Sequence, residues 1–169
     1  MAAPLVSVVI PTHCDGTWLL ETIASVQRQT FTDFEIIVVA ADATPEIKGK
    51  LAEMQSQNLR VFHKVNDGVS RSRNLGIAQA RGDYIALLDH DDLWRPRKLE
   101  LQMAHMSELK CRWSSTMSAR INSRGEVICE NIHGHRYFSG SVLPHMAQAN
   151  FLDTSATVFE KSLFNEVGE

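Results

Sequence analysis

Long apolar runs and clusters of basic residues are both missing from this 169-residue sequence. The first strongly apolar stretch covers only residues 5–10, too short to cross a bilayer, and the opening Met1-Ala2-Ala3-Pro4 lacks the basic segment of a signal peptide. The 17 basic and 20 acidic side chains give a net charge of −3, without any run of five or six basic residues. We therefore expect a cytoplasmic protein without a transmembrane segment or bound nucleic acid, and peripheral contact with a membrane stays open.

Cysteine is also scarce. Cys14, Cys111 and Cys129 are odd in number and widely spaced, which favours reduced thiols over a disulfide framework. A zinc site assembled from Cys111, Cys129, His133 and His135 would lack both C-x-x-C and H-x₃₋₅-H spacing. We therefore interpret the two histidines as loop residues.

Two motifs that accompany other α/β enzymes are absent after the first apolar run. No G-x-G-x-x-G follows it, which argues against a dinucleotide oxidoreductase. An aspartyl phosphohydrolase would be expected to carry its D-x-D loop there, where this chain has Pro11-Thr12-His13. Neither class fits the sequence.

Apolar runs rich in β-branched residues do alternate with segments of helical spacing through the first hundred residues. Strands are expected at 5–10, where Pro11 ends the run, and at 35–39, 60–65 and 84–88. Helices are expected at 18–27, after the N-cap Thr44, from the N-cap Ser70 to Ala80, and from near Pro96, with Leu99, Met103 and Met106 on its buried face. This alternation predicts an α/β fold, Rossmann-like, with a mostly parallel, doubly wound central sheet flanked by helices.

The pattern changes after residue 109. Strands at 113–121 and 126–129 flank a turn-forming cluster at 122–125, which predicts a hairpin in the C-terminal third. A short helix at 141–149, a strand at 154–160 and a helical turn from Ser162 complete the prediction. The hydrophobic share of 44% is enough to fill the core of one domain of this length.

The candidate site with the most carboxylates follows the fourth expected strand. In open α/β sheets, ligands bind beyond the carboxyl ends of the strands, which here are the loops at 11–16, 40–44, 66–74 and 89–92. The last loop is Asp89-His90-Asp91-Asp92, and three carboxylates so close together suit Mg²⁺ or Mn²⁺ held jointly with substrate phosphates. Taken alone, the triplet fits a solvated turn before Leu93-Trp94 equally well.

A second loop supports the phosphate interpretation. Residues 68–74, Gly-Val-Ser-Arg-Ser-Arg-Asn, enter a helix with two arginines in its first turns. Backbone N–H groups at a helix start attract anions, and arginine pairs with phosphate through two hydrogen bonds. Standing alone, the segment would better fit a surface helix with exposed arginines and a serine cap.

Six blocks of the sequence, in order, resemble the nucleotide-sugar-binding half of the family-2 inverting glycosyltransferases: residues 6–12, 25–31, 33–39, 68–76, 82–85 and 87–94. The resemblance is strong over 5–102 and continues weakly to Gly168. It implies a GT-A fold in a single domain over 1–169, with the nucleotide-sugar-binding half at 5–102. Residues 103–169 would be the start of an acceptor-side half that this chain does not complete.

The resemblance also implies a role for individual residues. Pro11, Thr12 and His13 match the loop that packs on the base, and Arg73 matches an arginine near the nucleotide. Asp91 is the first choice for metal ligand. The other residues expected at the donor site are Asp42, Asp89 and His90, with Asp89 and Asp92 as further metal ligands.

The implied activity is metal-dependent transfer of a sugar from a nucleoside diphosphate-sugar, expected to be a UDP-sugar, to an acceptor hydroxyl. Mn²⁺ or Mg²⁺ would neutralise the leaving diphosphate, and single displacement would invert the anomeric centre. The acceptor would be a carbohydrate or another hydroxyl compound.

Three departures from the family pattern concern this activity. His13-Cys14 replaces an aromatic residue followed by Asn, and Ala40-Ala41-Asp42 replaces two base-reading aspartates. Either Asp42 shifts into this role, another group recognises the base, or the nucleotide preference is relaxed or lost. The family's general base comes from an acidic motif beyond residue 169. Among the downstream acids, including Glu166 and Glu169, Asp153 is the candidate base, although a capping or surface role fits it better. The catalytic base is therefore unassigned, and a nucleotide-binding module that transfers no sugar is the alternative.

Overall fold

The computed structural model describes residues 3–13, 17–132 and 138–168. Cys14, His133, His135 and Glu169, which entered the sequence predictions, lie outside the described residues. Within the described part of the chain, no helix is long and apolar enough to cross a membrane.

The first part of the chain alternates strands and helices as expected. Its elements are β1 (Val6–His13), α1 (Leu19–Gln27), β2 (Phe34–Ala41), α2 (Pro45–Met54), β3 (Leu59–Lys64), α3 (Val69–Gln79), β4 (Tyr84–Leu87) and α4 (Lys98–Leu109). Thr44 caps α2, as predicted, because its hydroxyl accepts a hydrogen bond from the Ile47 N–H.

The remaining elements are shorter. They are β5 (Trp113–Ser115), β6 (Arg120–Ile121), β7 (Val127–Cys129), α5 (Leu143–Met146), a 3₁₀ turn at Thr154–Ala156, β8 (Thr157–Glu160) and α6 (Lys161–Val167). β6 and β7 form the predicted hairpin, and their turn is closed by the Gly125 N–H bonding to the Asn122 carbonyl.

The central sheet has the strand order β3-β2-β1-β4-β8-β5. The first four strands are mutually parallel, whereas β8 runs antiparallel to both of its neighbours. The prediction of a mostly parallel sheet is confirmed. Because β8 is antiparallel to β4, its first residues lie at the edge where β4 ends.

Apolar side chains cover both faces of the sheet. Val8, Ile10 and Val38 pack with residues of α1, α2 and α4 on one face. Val9, Ile37 and Val39 pack on the other face with Ile77 of α3 and with Phe164 of α6. Strands buried on both faces explain the continuous apolar runs in the sequence.

Four local predictions were wrong. Pro11 does not end β1, which continues to His13 beside β2. The Val9 carbonyl accepts a hydrogen bond from the Leu88 N–H of the chain that follows β4. Because backbone groups alternate sides along a strand, the Pro11 nitrogen points to the same side as the Val9 carbonyl. β4 no longer pairs with β1 at Pro11, so the N–H that proline lacks leaves no hydrogen bond of the sheet unmade.

The other three errors concern element boundaries. Gly68, not Ser70, is the N-cap residue of α3. The expected strand at 113–121 is divided between the central sheet and the hairpin, and the first residues of the expected strand at 154–160 form the 3₁₀ turn.

Candidate functional site

A cavity of about 460 Å³ lies at the carboxyl edge of the parallel strands. Four chain segments supply its wall: the end of β1, the end of β2, the entry to α3 and the loop after β4. The lining residues are Pro11, Thr12, His13, Ala41, Asn66, Gly68, Val69, Ser72, Arg73, Asp89, His90 and Asp91. The structure therefore brings together most of the residues that the sequence singled out.

The β1 side of the cavity is largely uncharged. The Thr12 side-chain oxygen is buried and forms no hydrogen bond within the described part of the chain. The His13 ring meets the His90 ring edge to face, with centroids 5.7 Å apart. Thr12 lies on the cavity wall, and a buried hydroxyl without a partner is uncommon in folded proteins.

The α3 side is positively charged. Gly68 has a φ of 106°, which favours glycine, and its N–H donates to the Asn66 Oδ1 over 3.1 Å. Arg73, in the second turn of the helix, donates from Nη2 to the Asp89 Oδ1 over 2.6 Å. The Nε of Arg73 is buried and has no partner among the described residues. The guanidinium thus retains a donor for another acceptor.

The acidic loop, residues 89–92, is held by hydrogen bonds to side chains that are distant in sequence. Ser155 accepts from the Asp89 N–H over 3.0 Å and donates to the Asp92 Oδ2 over 2.5 Å. Thr22 donates to the His90 carbonyl over 2.8 Å. These contacts fix both the backbone and one carboxylate of the loop.

The negative charges in and near the acidic loop affect the pKa of Asp92. Burial raises the pKa of the Asp92 carboxyl, the hydrogen bond from Ser155 lowers it, and the neighbouring charges of Asp91, Asp89 and Asp153 raise it further. A cation beside these carboxylates would relieve their mutual repulsion.

Two predicted site residues are not part of the cavity wall as the described residues form it: Asp42 and Asp92. Asp42 is exposed, has a left-handed backbone with a φ of 47°, and donates its N–H to the Lys64 carbonyl. Asp92 is directed to Ser155 instead. Their predicted roles in base and metal binding remain predictions.

The fit of a metal depends on what else binds with it. In the described part of the chain, no group of three His, Cys, Asp or Glu side chains is placed to hold a metal by itself. Mg²⁺, however, is commonly held by one or two carboxylates together with substrate phosphates. Asp91, exposed on the wall, and Asp89 beside it fit a cation of this kind that is shared with a phosphate ligand.

Most downstream acids are committed to surface ion pairs. Glu126 pairs with Arg124, and Glu130 pairs with Arg95. Glu160 and Glu166 both pair with Arg112. Asp153 is half-buried near Asp92, and its side chain does not cap the 3₁₀ turn.

Sequence reasoning did not single out Ser155 or Asn66. Asn66 follows β3, in the loop whose glycine and arginines indicated a phosphate site. Ser155 comes before a strand, and only the antiparallel direction of β8 places it beside the end of β4. Finding Ser155 from the sequence would have required a pattern that shows β8 to be antiparallel to β4.

A second cavity, of about 390 Å³, lies in the C-terminal third and is lined by Phe138, His145, Gln148 and Ala149. The Phe138 and His145 rings are stacked with centroids 3.8 Å apart. Acidic side chains do not line this cavity in the described part of the chain, which separates its chemistry from that of the first.

Comparison with known proteins gives a consistent result. The sequence profile described as Glycosyl transferase family 2 matches residues 7–163. The chain is 38% identical over 168 residues to an "uncharacterized glycosyltransferase" of Rickettsia felis, a match that covers 95% of this chain and 27% of that protein. The chain thus spans about a quarter of the length of this curated relative.

Solved structures resemble the whole described fold. Residues 1–349 of S. aureus TarS in complex with UDP-GlcNAc match with a TM-score of 0.77 and 19% identity, covering 96% of this chain and 47% of that one. The same protein in complex with UDP matches with a TM-score of 0.75 and 21% identity, covering 96% and 48%. This likeness confirms the expected GT-A fold.

Proposed function

The chain belongs to glycosyl transferase family 2, and we propose that its cavity at the carboxyl edge of the sheet holds the nucleoside diphosphate of a sugar donor. The observation that carries the proposal is Arg73 on the cavity wall, paired with Asp89 and with one N–H that has no partner among the described residues. A diphosphate oxygen would supply the missing acceptor. Arginine is well suited to this role because its planar fork matches phosphate geometry.

The opposite wall suits a nucleoside. Pro11, Thr12 and Ala41 form an uncharged surface, and the Thr12 hydroxyl has no hydrogen-bond partner in the part of the chain that the structure describes. An apolar wall with few convergent polar groups is the usual lining of a small-molecule site. The base would therefore lie toward the ends of β1 and β2, and the diphosphate toward Arg73.

A divalent cation would be held by Asp91, with Asp89 next to it. When bound, Mg²⁺ or Mn²⁺ offsets the negative charge on the diphosphate. Arg73 has a complementary task in this arrangement. It neutralises Asp89 when the donor is absent and orients the diphosphate when the donor is present.

The proposed reaction is transfer of the sugar, with inversion, from a UDP-sugar to an acceptor hydroxyl. The bond between the anomeric carbon and the diphosphate oxygen breaks as the acceptor oxygen attacks the opposite face, and the acceptor proton passes to a base. Family membership supports this reaction, and TarS structures containing UDP or UDP-GlcNAc support the uridine donor.

A nucleotide-binding module that transfers no sugar is the second candidate. It is favoured by the ion pairs that engage four of the downstream acids, Glu126, Glu130, Glu160 and Glu166. Mass spectrometry of the chain incubated with UDP-sugars and Mn²⁺ distinguishes the two: released UDP indicates turnover, whereas intact donor together with calorimetric binding of UDP indicates a binding module.

Calorimetric titration with UDP, GDP and dTDP, each with and without Mn²⁺, tests the binding proposal. We expect heat of binding for at least one diphosphate, strongest for UDP, and a tighter Kd with Mn²⁺. No heat with any of the three would overturn the donor-site proposal. Uridine without phosphates is the control, and it should bind far more weakly than UDP.

A further inference from the structure

Ser155 connects the C-terminal third of the chain to the acidic loop through three hydrogen bonds. Its hydroxyl oxygen accepts from the Asp89 N–H over 3.0 Å, and its hydroxyl proton is donated to the Asp92 Oδ2 over 2.5 Å. Its carbonyl accepts from the Trp94 indole N–H over 2.7 Å. One residue thus contacts the loop 89–92 at both ends and the residue two positions beyond it.

The two contacts of the Ser155 hydroxyl are partly buried, and the contact of its carbonyl with Trp94 is fully buried. Ser155 is only 9% exposed and Trp94 only 8%. The Trp94 backbone N–H donates to the Ser25 hydroxyl of α1 over 3.2 Å. The loop is therefore clamped between α1 and the 3₁₀ turn before β8, and buried hydrogen bonds of this kind hold a single geometry.

The hydrogen bonds of Ser155 give the three aspartates different environments. Asp92 is bound to Ser155 and is not part of the cavity wall that the described residues form, whereas Asp89 and Asp91 are part of it. Asp89 is paired with Arg73. Asp91 is left as the exposed carboxylate on the wall.

We propose that Ser155 is a positioning residue that anchors the acidic loop through Asp92 so that Asp91 faces the diphosphate. The proposal rests on the donor-site function proposed above. Ser155 touches neither nucleotide nor metal in this account; it acts through the loop. Asp92 is an anchor of the loop and does not ligate the cation.

The test measures UDP affinity by calorimetry with and without Mn²⁺, together with the thermal midpoint of unfolding. Ser155→Ala removes both hydroxyl contacts, and we expect the Mn²⁺-dependent gain in affinity to fall by about tenfold or more, as for other groups that orient metal ligands. UDP affinity without Mn²⁺ should stay within about twofold of wild type. Ser155→Thr, which keeps the hydroxyl, should restore the gain.

Two further variants separate the aspartates. In Asp92→Asn the amide oxygen still accepts from Ser155, so most of the Mn²⁺-dependent gain should remain. Asp91→Asn should abolish it. Ser155→Ala combined with Asp92→Ala should cost no more than the larger single effect, because either substitution alone already breaks the contact between Ser155 and Asp92.

The outcomes are distinguishable. Wild-type chain that binds no UDP overturns the proposed function itself. If the wild-type chain binds UDP and Ser155→Ala keeps the full Mn²⁺-dependent gain in affinity, the proposed role of Ser155 is overturned but the proposed function is not. Loss of binding with and without Mn²⁺, a lowered midpoint and no rescue by Ser155→Thr would show a merely structural role. Equal losses in Asp92→Asn and Asp91→Asn would make Asp92 a ligand and contradict the assignment.

Discussion

The guanidinium of Arg73 lies 2.6 Å from the carboxylate of Asp89, although the two residues are 16 positions apart and belong to different segments of the cavity wall. Arg73 comes from the second turn of α3, and Asp89 follows β4. The pair is partly buried, so water screens it less than a surface ion pair. The pair links the loop at 68–74 with the loop at 89–92, each of which was predicted from the sequence to take part in phosphate binding.

Removal of Arg73 should weaken nucleotide binding. A charge-assisted hydrogen bond contributes about 1.5–3 kcal/mol, so Arg73→Ala should raise the Kd for UDP by about 10- to 100-fold. Arg71 provides the matched control, because it is exposed, pairs only loosely with Asp67 at 3.8 Å, and is not on the cavity wall. Arg71→Ala should change the Kd by less than about threefold. Equal effects of the two substitutions would contradict the assigned role.

Close packing of α3 on the sheet requires a glycine at position 76. A Cβ there would lie 2.3 Å from the Val9 Cγ1. Gly76→Ala should therefore lower the free energy of unfolding by about 2 kcal/mol through overpacking. Among the described residues, no atom lies within 4 Å of a Cβ added at Gly49 in α2, so Gly49→Ala should stabilise the chain by about 0.5–1 kcal/mol. Urea denaturation measures both, and destabilisation by both variants would contradict the packing argument.

A buried carboxylate stabilises the amino edge of the sheet. Glu35 is 2% exposed and accepts hydrogen bonds from the Ser7 hydroxyl, the Arg60 guanidinium and the Arg81 N–H. Glu35→Gln leaves Arg60 without its counter-charge and should cost about 3 kcal/mol in the free energy of unfolding.

Glu46 is the control for this substitution. It forms an exposed pair with Lys50 one helical turn away, and such pairs contribute little to stability because water screens them. Glu46→Gln should therefore be nearly neutral in the same urea titration. A neutral Glu35→Gln would show that the buried network adds little to stability.

Lys98 should make stability depend on pH. Its Nζ is buried without a hydrogen-bond partner among the described residues and lies 3.9 Å from the centre of the Trp94 ring. Burial lowers the pKa of Lys98 from 10.5 to about 7, while the ring face favours the charged form and opposes this shift. Because the unfolded chain binds the proton more tightly, this group makes the free energy of unfolding rise between about pH 7 and 10.

Lys98→Met removes this contribution. The variant should gain stability relative to wild type at pH 7, and the gain should shrink as the pH approaches 10. Chemical denaturation at pH 7 and pH 9.5 measures the two differences. A difference that is independent of pH would show that the buried amine keeps its ordinary pKa.

Local patterns were enough to predict much of the fold. Strands buried on both faces have continuous apolar runs, and Thr44-Pro45 fixes the start of α2, so the parallel half of the sheet follows from the sequence. The C-terminal third was predicted less well because β5 and β8 have only 3 and 4 residues, too few for a periodic pattern. Their partners are distant in sequence.

The part of the candidate site that consists of sequence motifs at the ends of parallel strands could be predicted. Arg73, Asp89 and Asp91 were singled out for their chemistry, and the parallel sheet brings them to one cavity. The separate environment of Asp92 was not predictable, since it depends on a hydrogen bond to Ser155, 63 positions away. No spacing within the loop distinguishes Asp91 from Asp92.

The location of the nucleotide is the central claim, and an NMR titration of ¹⁵N-labelled chain with UDP and Mg²⁺ tests it most directly. We predict that the amide shifts are concentrated at the ends of β1 and β2, at the entry to α3 and in the loop 89–92. Arg73→Ala should reduce them at the same UDP concentration. Shifts concentrated around Phe138 and His145, or no shifts at saturating UDP, would contradict the account.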